Sequence, residues 1–381
     1  MKAKPESIRS ARDPRYDTLR GLFLICMTVN HLPTELRWVT DQSLGFFTAA
    51  EGFVFLSGLM AGMVYTRKLR AGGPASLWDA VLGRTKTIYA WHVASFVGAL
   101  ACVVLAEYAC GYCSPTAPRL FFEHPLAALG LGAALLYQPG LLDLLPMYCV
   151  FVLFLPVVIR GIESGRRWLV LSASVFLWLV AQWAPAAGSL RTYPINTGSF
   201  SLLAWQLIFV AGVAIGHAGI SGRPQVARPS RLAVLCAASV AIYGFGVQQA
   251  HWPALWPGAV FGVLLNKPAL GLLRLADFGC VAYLVAIVGA RFPSLLASRP
   301  LELLGRNSLA VVATQSVAIT ALLQFPALFA TPADRTLVAM GTVALLFCVA
   351  AARQGLVQAL RQPAPVSPLS PEGSRRLNPA A

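Results

Sequence analysis

A succession of long apolar stretches limits the fold of this chain more than any other feature, because it runs almost from end to end of the sequence. A helix needs about 20 mainly apolar residues to cross the hydrocarbon core of a bilayer. The stretches lack the period-two alternation of membrane β-barrels. The pattern predicts an all-α, polytopic membrane protein with about ten transmembrane helices. These predicted spans of the 381-residue chain lie at approximately 18–36, 44–66, 87–109, 141–160, 167–184, 199–219, 231–250, 270–290, 306–325 and 335–353.

A further apolar segment, at about 125–138, is too short to cross a membrane. With ten spans, 24 of the 30 Lys and Arg residues fall on one side of the membrane and 6 on the other. Cytoplasmic loops carry the excess of Lys and Arg, so this count places both termini in the cytoplasm. Counting 125–138 as a span would destroy the segregation, and we therefore expect that segment to be re-entrant or interfacial.

The predicted spans leave no room for a second, soluble domain. We interpret residues 1–361 as a single integral-membrane domain. Residues 362–381 are rich in Pro and Ser and lack an apolar run, which is typical of disordered segments. We expect them to form a disordered cytoplasmic tail.

The basic charge balance does not indicate a nucleic-acid partner. The net charge of +15 would suggest nucleic acid in a soluble protein, but here the cations lie in short loops beside the bilayer. No Walker loop, GxGxxG or HExxH motif is present, so nucleotide-driven transport, dinucleotide redox chemistry and zinc proteolysis lack their minimum parts. The eight cysteines have no metal-ligand spacing, and we expect no metal and no tightly bound cofactor. Cys110 and Cys113 form a CxxC pair that could be a disulfide.

The first predicted span carries ionisable residues that are costly inside a bilayer and are therefore functional candidates. Arg20 and His31 are eleven residues apart, which places them on one helix face and about 16 Å apart along its axis. Asp17 precedes Arg20 by three residues and could hold its guanidinium through an i,i+3 pair. The alternative for Arg20 is that it simply ends the span at the cytoplasmic side.

The second predicted span carries Glu51 at about the same depth as His31, which we place some five residues before the first span ends. A carboxylate beside an imidazole fixes its tautomer and stabilises the imidazolium that forms when it accepts a proton. We therefore interpret His31 as a general base and Glu51 as its catalytic partner. The alternative is a structural pair that joins two helices.

Three further ionisable residues are candidates for acceptor binding or support. Asp143 opens the fourth predicted span beside 125–138 and could shape an acceptor cleft, or could be an ordinary acid at a helix N-terminus. Arg274 and Asp277 are three residues apart in the eighth span. They could form an internal ion pair or hold an anionic acyl or sugar group.

Several blocks of the sequence resemble, in order, those of the OpgC family of bacterial inner-membrane proteins. The resemblance extends from about residue 12 to 320, and as a set the blocks are highly specific. The family is similar to the wider integral-membrane acyltransferase superfamily, whose first-span Arg and His are matched by Arg20 and His31. The blocks are RDPRYDTLRG at 12–21, NH at 30–31, AAEGFVFLSG at 49–58, LLDLLPMY at 141–148, LAWQL at 203–207, NKPALGLLRL at 266–275 and GRNSL at 305–309.

The resemblance implies an inner-membrane enzyme that transfers a succinyl or other short acyl group to a periplasmic glucan. An acyl-CoA, with succinyl-CoA the first candidate, would be the co-substrate. Its phosphates would lie among cytoplasmic cations that include Arg20, whose guanidinium Asp17 would hold in place. Its thioester would reach His31, which would deprotonate the glucan hydroxyl. The glucan and the lipid bilayer are the remaining expected partners.

Two other classes of function remain open. A transporter or flippase for a glycan or lipid-linked precursor would need a continuous polar pathway, and such proteins often contain an internal repeat. We see no obvious repeat, and the ionisable groups are concentrated at one depth of two helices. A non-catalytic scaffold gives no reason to keep His31 and Glu51 within lipid.

Overall fold

The computed structural model describes residues 13–111, 119–184, 188–223 and 229–359. Helices dominate these ranges, and the small amount of sheet is a single two-stranded hairpin. In chain order the helices are α1 Pro14–Asn30, α2 Arg37–Thr40, α3 Ala49–Cys110, α4 Arg119–Glu123, α5 Pro125–Ala133, α6 Leu144–Glu163, α7 Arg167–Trp183, α8 Leu202–Ile220, α9 Arg231–Gln248, α10 Gly258–Leu264, α11 Leu272–Arg291, α12 Arg299–Arg306, α13 Ser308–Leu322 and α14 Pro332–Ala359.

The helical membrane class is confirmed, and the count of ten spans stays a prediction. Each predicted span coincides with a helix or part of one. Two apolar helices, α7 and α13, are shorter than the 18 residues that we require of a spanning helix. In the described ranges, six helices are long and apolar enough to cross a membrane, namely Ala49–Ala109, Leu144–Glu163, Leu202–Ile220, Arg231–Gln248, Leu272–Arg291 and Pro332–Ala359.

Helix α3 contains two predicted spans, 44–66 and 87–109, joined by helical residues rather than by a loop. Its only non-helical backbone is at Gly73, where φ is +70°. Glycine adopts this left-handed conformation without steric cost. The following Pro74 has no N–H group and clashes with the preceding turn, so it kinks a helix. The kink therefore divides α3 into two arms.

The first arm of α3 packs very closely against α8. A methyl group at Gly62 would lie 2.3 Å from the backbone oxygen of Val213, and one at Gly212 would lie 2.3 Å from the backbone oxygen of Phe55. Small residues at four-residue spacing let the backbones of membrane helices approach in this way. The glycines thus bring α8, with Trp205 buried near its start, next to the arm whose first turn carries Glu51.

The short segment that we expected to be re-entrant or interfacial contains α5, a helix of 9 residues. At about 1.5 Å per residue it extends for about 14 Å, roughly half of a bilayer core. Its end is attached to the second arm of α3, where Tyr89 Oη donates to the Ala133 oxygen at 2.9 Å and His92 Nε2 lies 3.2 Å from the Gly132 oxygen. These contacts hold the end of α5 against α3 and so fix the start of the segment 134–143, which leads to α6.

A small hairpin lies between α7 and α8. Its strands are β1, Arg191–Thr192, and β2, Ile195–Asn196. The Asn196 amide donates to the Leu136 oxygen at 2.9 Å, and the Gln138 amide donates to the Asn196 oxygen at 2.7 Å. These bonds fasten the hairpin to the segment that follows α5.

Two predictions fall outside what the structure describes. The possible disulfide between Cys110 and Cys113 involves a residue in the gap at 112–118. The tail at 362–381 follows the last described residue, Ala359.

Candidate functional site

Residues distant in sequence line a cavity of about 260 Å³ at the end of α1. We call it the His31 cavity. It is formed where the end of α1 meets the start of α3, the start of α6 and the loop before α11. Polar side chains from all four places line it, together with Ser199 from the loop before α8. Those used below are His31, Thr48, Asp143, Ser199 and Lys267.

His31 lies immediately after α1, so the prediction that the first helix continues past it to about residue 36 is wrong. Helix α1 ends at Asn30, and the His31 amide caps it by donating to the Thr28 oxygen at 3.3 Å. The cause is Pro33, because a proline disfavours helical backbone in the residue before it. His31 therefore lies at the C-terminal end of α1, where its side chain lines the cavity.

Glu51 is buried but does not orient His31. Arg274 Nε donates to Glu51 Oε1 in an ion pair between two buried side chains. Glu51 Oε2 accepts from the Thr48 amide at 3.0 Å and from Thr48 Oγ1 at 2.7 Å. Between the two described side chains of His31 and Glu51 there is no hydrogen bond. The expected imidazole–carboxylate pair is thus replaced by a pair between α3 and α11.

The alternative ion pair between Arg274 and Asp277 is not formed between these described residues. Asp277 is buried, and its Oδ2 accepts from the Phe46 amide at 2.6 Å. The two side chains share a face of α11 but serve different partners, because the start of α3 and the loop before it both lie against that face. Neither residue lines the His31 cavity.

Asp143 is the residue before α6 and lines the His31 cavity, and its expected role in acceptor binding stays a prediction. Its side chain does not cap the helix. Asp143 Oδ2 instead accepts from the Ser199 amide at 2.8 Å. The bond holds the loop after the hairpin against the rim of the cavity.

Lys267 lines the same cavity, and reasoning from the sequence counted it only as one of the few cations on the side opposite the termini. The available signal was its place in the NKP block at 266–268 within a cation-poor set of loops. Burial lowers the pKa of the Lys267 ammonium, and nearby carboxylates, with Glu51 first among them, oppose that shift.

A larger cavity of about 710 Å³ lies toward the start of α1. We call it the arginine cavity. Of its lining residues, the sequence analysis selected Arg20. Tyrosine and serine hydroxyl groups add polar character to its wall. The guanidinium groups that line it belong to Arg20, Arg67, Arg84, Arg306 and Arg353.

Arg20 is held in the wall of the arginine cavity by side chains from other helices. Its Nη2 donates to Ser308 Oγ at 2.6 Å, and its guanidinium carbon lies 5.2 Å from the centre of the Phe53 ring. Asp17 is fully buried, with Oδ2 3.9 Å from Nε of Arg306. Asp17 thus connects α1 to a second arginine of the same cavity.

The two cavities are adjacent, since Leu144 and Val312 line both of them. These side chains, from α6 and α13, therefore separate a cavity lined by guanidinium groups from the cavity lined by His31. Among the described residues, no group of three or more His, Cys, Asp or Glu side chains could hold a metal ion.

A third cavity of about 550 Å³, the outer groove, adjoins the His31 cavity and shares Gly140 and Ser199 with it. The hairpin and the segment after α5 form its walls. Tyr193 exposes an aromatic ring there, while the side-chain amide of Gln138 is buried and has no partner among the described groups. Aromatic and amide side chains are suited to binding a polyhydroxylated ligand.

Comparison with known proteins identifies the family of this chain. No curated protein and no solved structure matches the chain. The family described as OpgC protein matches residues 12–357, which include all three cavities. The chain therefore belongs to the OpgC family.

Proposed function

We propose that this protein is a transmembrane O-acyltransferase that transfers a short acyl group from a cytoplasmic acyl-CoA to a hydroxyl group of a periplasmic glucan. Membership of the OpgC family indicates a glucan-modifying enzyme of the transferase type. The observation that carries the proposal is that the arginine cavity and the His31 cavity lie side by side and share Leu144 and Val312 as lining residues.

The arginine cavity is suited to the phosphates of coenzyme A. Guanidinium groups form charge-assisted, often bidentate hydrogen bonds with phosphate oxygens. Five of them line one cavity, whose volume lies within the range of about 300–1,000 Å³ that is common for small-molecule sites. The acyl end of the donor would then extend between α6 and α13, past Leu144 and Val312, to His31.

The reaction joins the acceptor oxygen to the acyl carbon and breaks the bond between that carbon and sulfur. His31 accepts the hydroxyl proton as the oxygen attacks, and the same proton neutralises the departing thiolate, so that free coenzyme A and an ester are the products. General-base catalysis of this kind contributes about 10²–10⁴-fold. We assign Glu51 a positioning role, because Arg274 and Thr48 occupy its carboxylate.

The acceptor would enter through the outer groove. Its hydroxyl groups would bind Gln138, and one sugar ring would lie against Tyr193. The shared residues Gly140 and Ser199 open the groove toward His31. In this arrangement no sugar crosses the membrane, since donor and acceptor approach from opposite ends of one path.

The proposal includes an orientation in the membrane. The cation-rich loops and both termini lie in the cytoplasm, and the protein resides in a bacterial inner membrane. The arginine cavity at the start of α1 then faces the coenzyme A pool. The His31 cavity and the outer groove face the periplasm.

The test uses the full-length protein in lipid nanodiscs with succinyl-CoA and glucans isolated from a strain that lacks the gene. Release of free thiol and mass spectrometry of the glucans report the reaction. We expect the wild type and His251→Ala to acylate the glucan, since His251 lies exposed in another loop, and His31→Ala to be inactive. Acylation by His31→Ala would remove His31 from the mechanism. A deletion strain whose periplasm lacks the glucan altogether would favour a transporter.

A further inference from the structure

The ammonium group of Lys267 lies in the wall of the His31 cavity without a partner. In the part of the chain that the structure describes, it forms neither a hydrogen bond nor an ion pair. A half-buried charge that lacks a partner is costly. Such a group next to a proposed reaction centre points to a ligand of opposite charge.

The loop that carries Lys267 is held firmly, so the backbone from which the lysine side chain extends is fixed before any ligand binds. Trp205 Nε1 donates to the Pro268 oxygen at 3.2 Å and lies 3.3 Å from the Lys267 oxygen. Trp178 Nε1 donates to the Leu270 oxygen at 2.9 Å, and Gln182 Nε2 donates to the Ala269 oxygen at 2.6 Å. A preorganised group loses little entropy when it binds.

The carboxylates around Lys267 are already engaged elsewhere. Glu51 is paired with Arg274 and bonded to Thr48. Asp143 accepts the Ser199 amide. These acids supply a negative field that favours the charged form of the lysine, but none of them neutralises it by direct contact.

We propose that Lys267 binds the distal carboxylate of a dicarboxylic acyl group in the His31 cavity, and thereby selects a succinyl-type donor over a neutral acyl chain of the same length. The inference rests on the proposed acyl transfer and assigns the residue that determines donor specificity at that site. The thioester carbon of the donor lies at His31, and the far carboxylate extends to the ammonium. A neutral chain leaves the ammonium unpaired.

The rival role for Lys267 is stabilisation of the oxyanion that forms on the acyl oxygen. The two roles differ in what a substitution removes. An oxyanion donor assists every acyl group, so its loss slows all donors. A carboxylate anchor assists only donors that carry the second charge.

The experiment compares succinyl-CoA with butyryl-CoA, a neutral four-carbon donor, in the wild type, Lys267→Met and Lys267→Arg. One charge-assisted contact corresponds to a preference of about 10–100-fold. We expect the wild type to show that preference in kcat/KM, Lys267→Arg to keep most of it, and Lys267→Met to lose it while retaining its rate with butyryl-CoA. An unchanged preference in Lys267→Met overturns the proposal, and so does an equal loss with both donors.

Thermal unfolding in the presence of each donor provides a second readout that does not depend on turnover. Succinyl-CoA should raise the Tm of the wild type more than butyryl-CoA does, and the two should act equally on Lys267→Met. If the two donors raise the Tm of the wild type equally, the role of Lys267 is contradicted and the proposed acyl transfer is not. A protein that binds neither donor contradicts the proposed function and, with it, this inference.

Discussion

Arg274 and Glu51 form a buried ion pair that joins α11 to the first turn of α3. The residues are 223 positions apart in the chain. Each also neutralises a charge that the interior could not otherwise accommodate, since removing one member of a buried pair leaves the other exposed to a low-dielectric environment. The pair fixes the start of α3, and with it Thr48, at the wall of the His31 cavity.

The pair predicts strong coupling between substitutions at its two positions. Glu51→Gln and Arg274→Gln should each destabilise the protein by about 3–5 kcal/mol, because each leaves an unpaired buried charge. The double variant should be much less destabilised than the sum of the two. Thermal unfolding in detergent gives the three values. Glu123→Gln, in the exposed pair with Arg119, is the control and should leave the stability almost unchanged, because solvent screens an exposed pair.

Activity of the double variant separates positioning from catalysis. If Glu51 acts only through Arg274 and the start of α3, the double variant should regain part of the acylation lost in Glu51→Gln. A double variant that is restored in stability but remains inactive would make Glu51 a direct participant in the reaction.

His31→Ala should lower kcat by about 10²–10⁴-fold, the usual contribution of a general base, with little effect on folding, because the imidazole forms no hydrogen bond to the described residues. His251→Ala is the matched control. Initial rates of thiol release and the Tm of each variant check both parts. A Tm loss that matches the loss of rate would instead assign His31 a structural role.

The arginine cavity should bind coenzyme A through its phosphates. Arg84→Gln removes one guanidinium from the cavity and should weaken the binding of free coenzyme A by about 10–100-fold, as expected for a hydrogen bond to a charged group. Arg160→Gln changes an exposed arginine that does not line the cavity and should have little effect. Isothermal titration at two salt concentrations measures both, and equal affinities in the two variants would contradict the assignment.

The close contact of α3 with α8 predicts opposite effects for the same change at two glycines of α3. Gly62→Ala places a methyl group 2.3 Å from the Val213 oxygen, so the helices must separate and the Tm should fall. A methyl group at Gly83 meets no atom within 4 Å, and Gly83→Ala should stabilise the helix by about 0.5–1 kcal/mol. Thermal unfolding in detergent distinguishes the two, and equal shifts would contradict the packing.

Donor selectivity should depend on pH through Lys267. The ammonium is charged below its pKa and neutral above it, and burial lowers that pKa from the usual 10.5. The preference for succinyl-CoA over butyryl-CoA should therefore decline with rising pH, at values where an ordinary lysine is still charged. His31 is proposed to act with both donors, so any effect of its protonation cancels in the ratio of the rate with succinyl-CoA to the rate with butyryl-CoA. The other charged groups that act on Lys267 are Glu51, Arg274, Asp41 and Asp143.

Lys267→Arg is the control for this profile, because a guanidinium stays protonated throughout the range. Its selectivity should be independent of pH. A wild-type ratio that does not change up to about pH 10 would show that Lys267 does not set the preference.

Reasoning from the sequence correctly identified the helical membrane class and the OpgC family, because long apolar runs and ordered blocks are properties of local sequence. It also selected Glu51 and Arg274 as costly groups inside the protein, and both are buried. It could not pair them, because each had a nearer candidate in the chain. Glu51 was assigned to His31 on the preceding span, and Arg274 to Asp277 one turn away.

The sequence by itself determined where charge is costly, since an ionisable group in an apolar run carries the same desolvation penalty whatever it meets. Only the tertiary structure decided which charges meet, because that depends on how α3, α8 and α11 pack. The same packing brings Lys267 from a short loop to the cavity of His31, and it places that cavity beside the one lined by five arginines near the start of α1. Contacts between residues more than 200 positions apart leave no local signal in a single sequence.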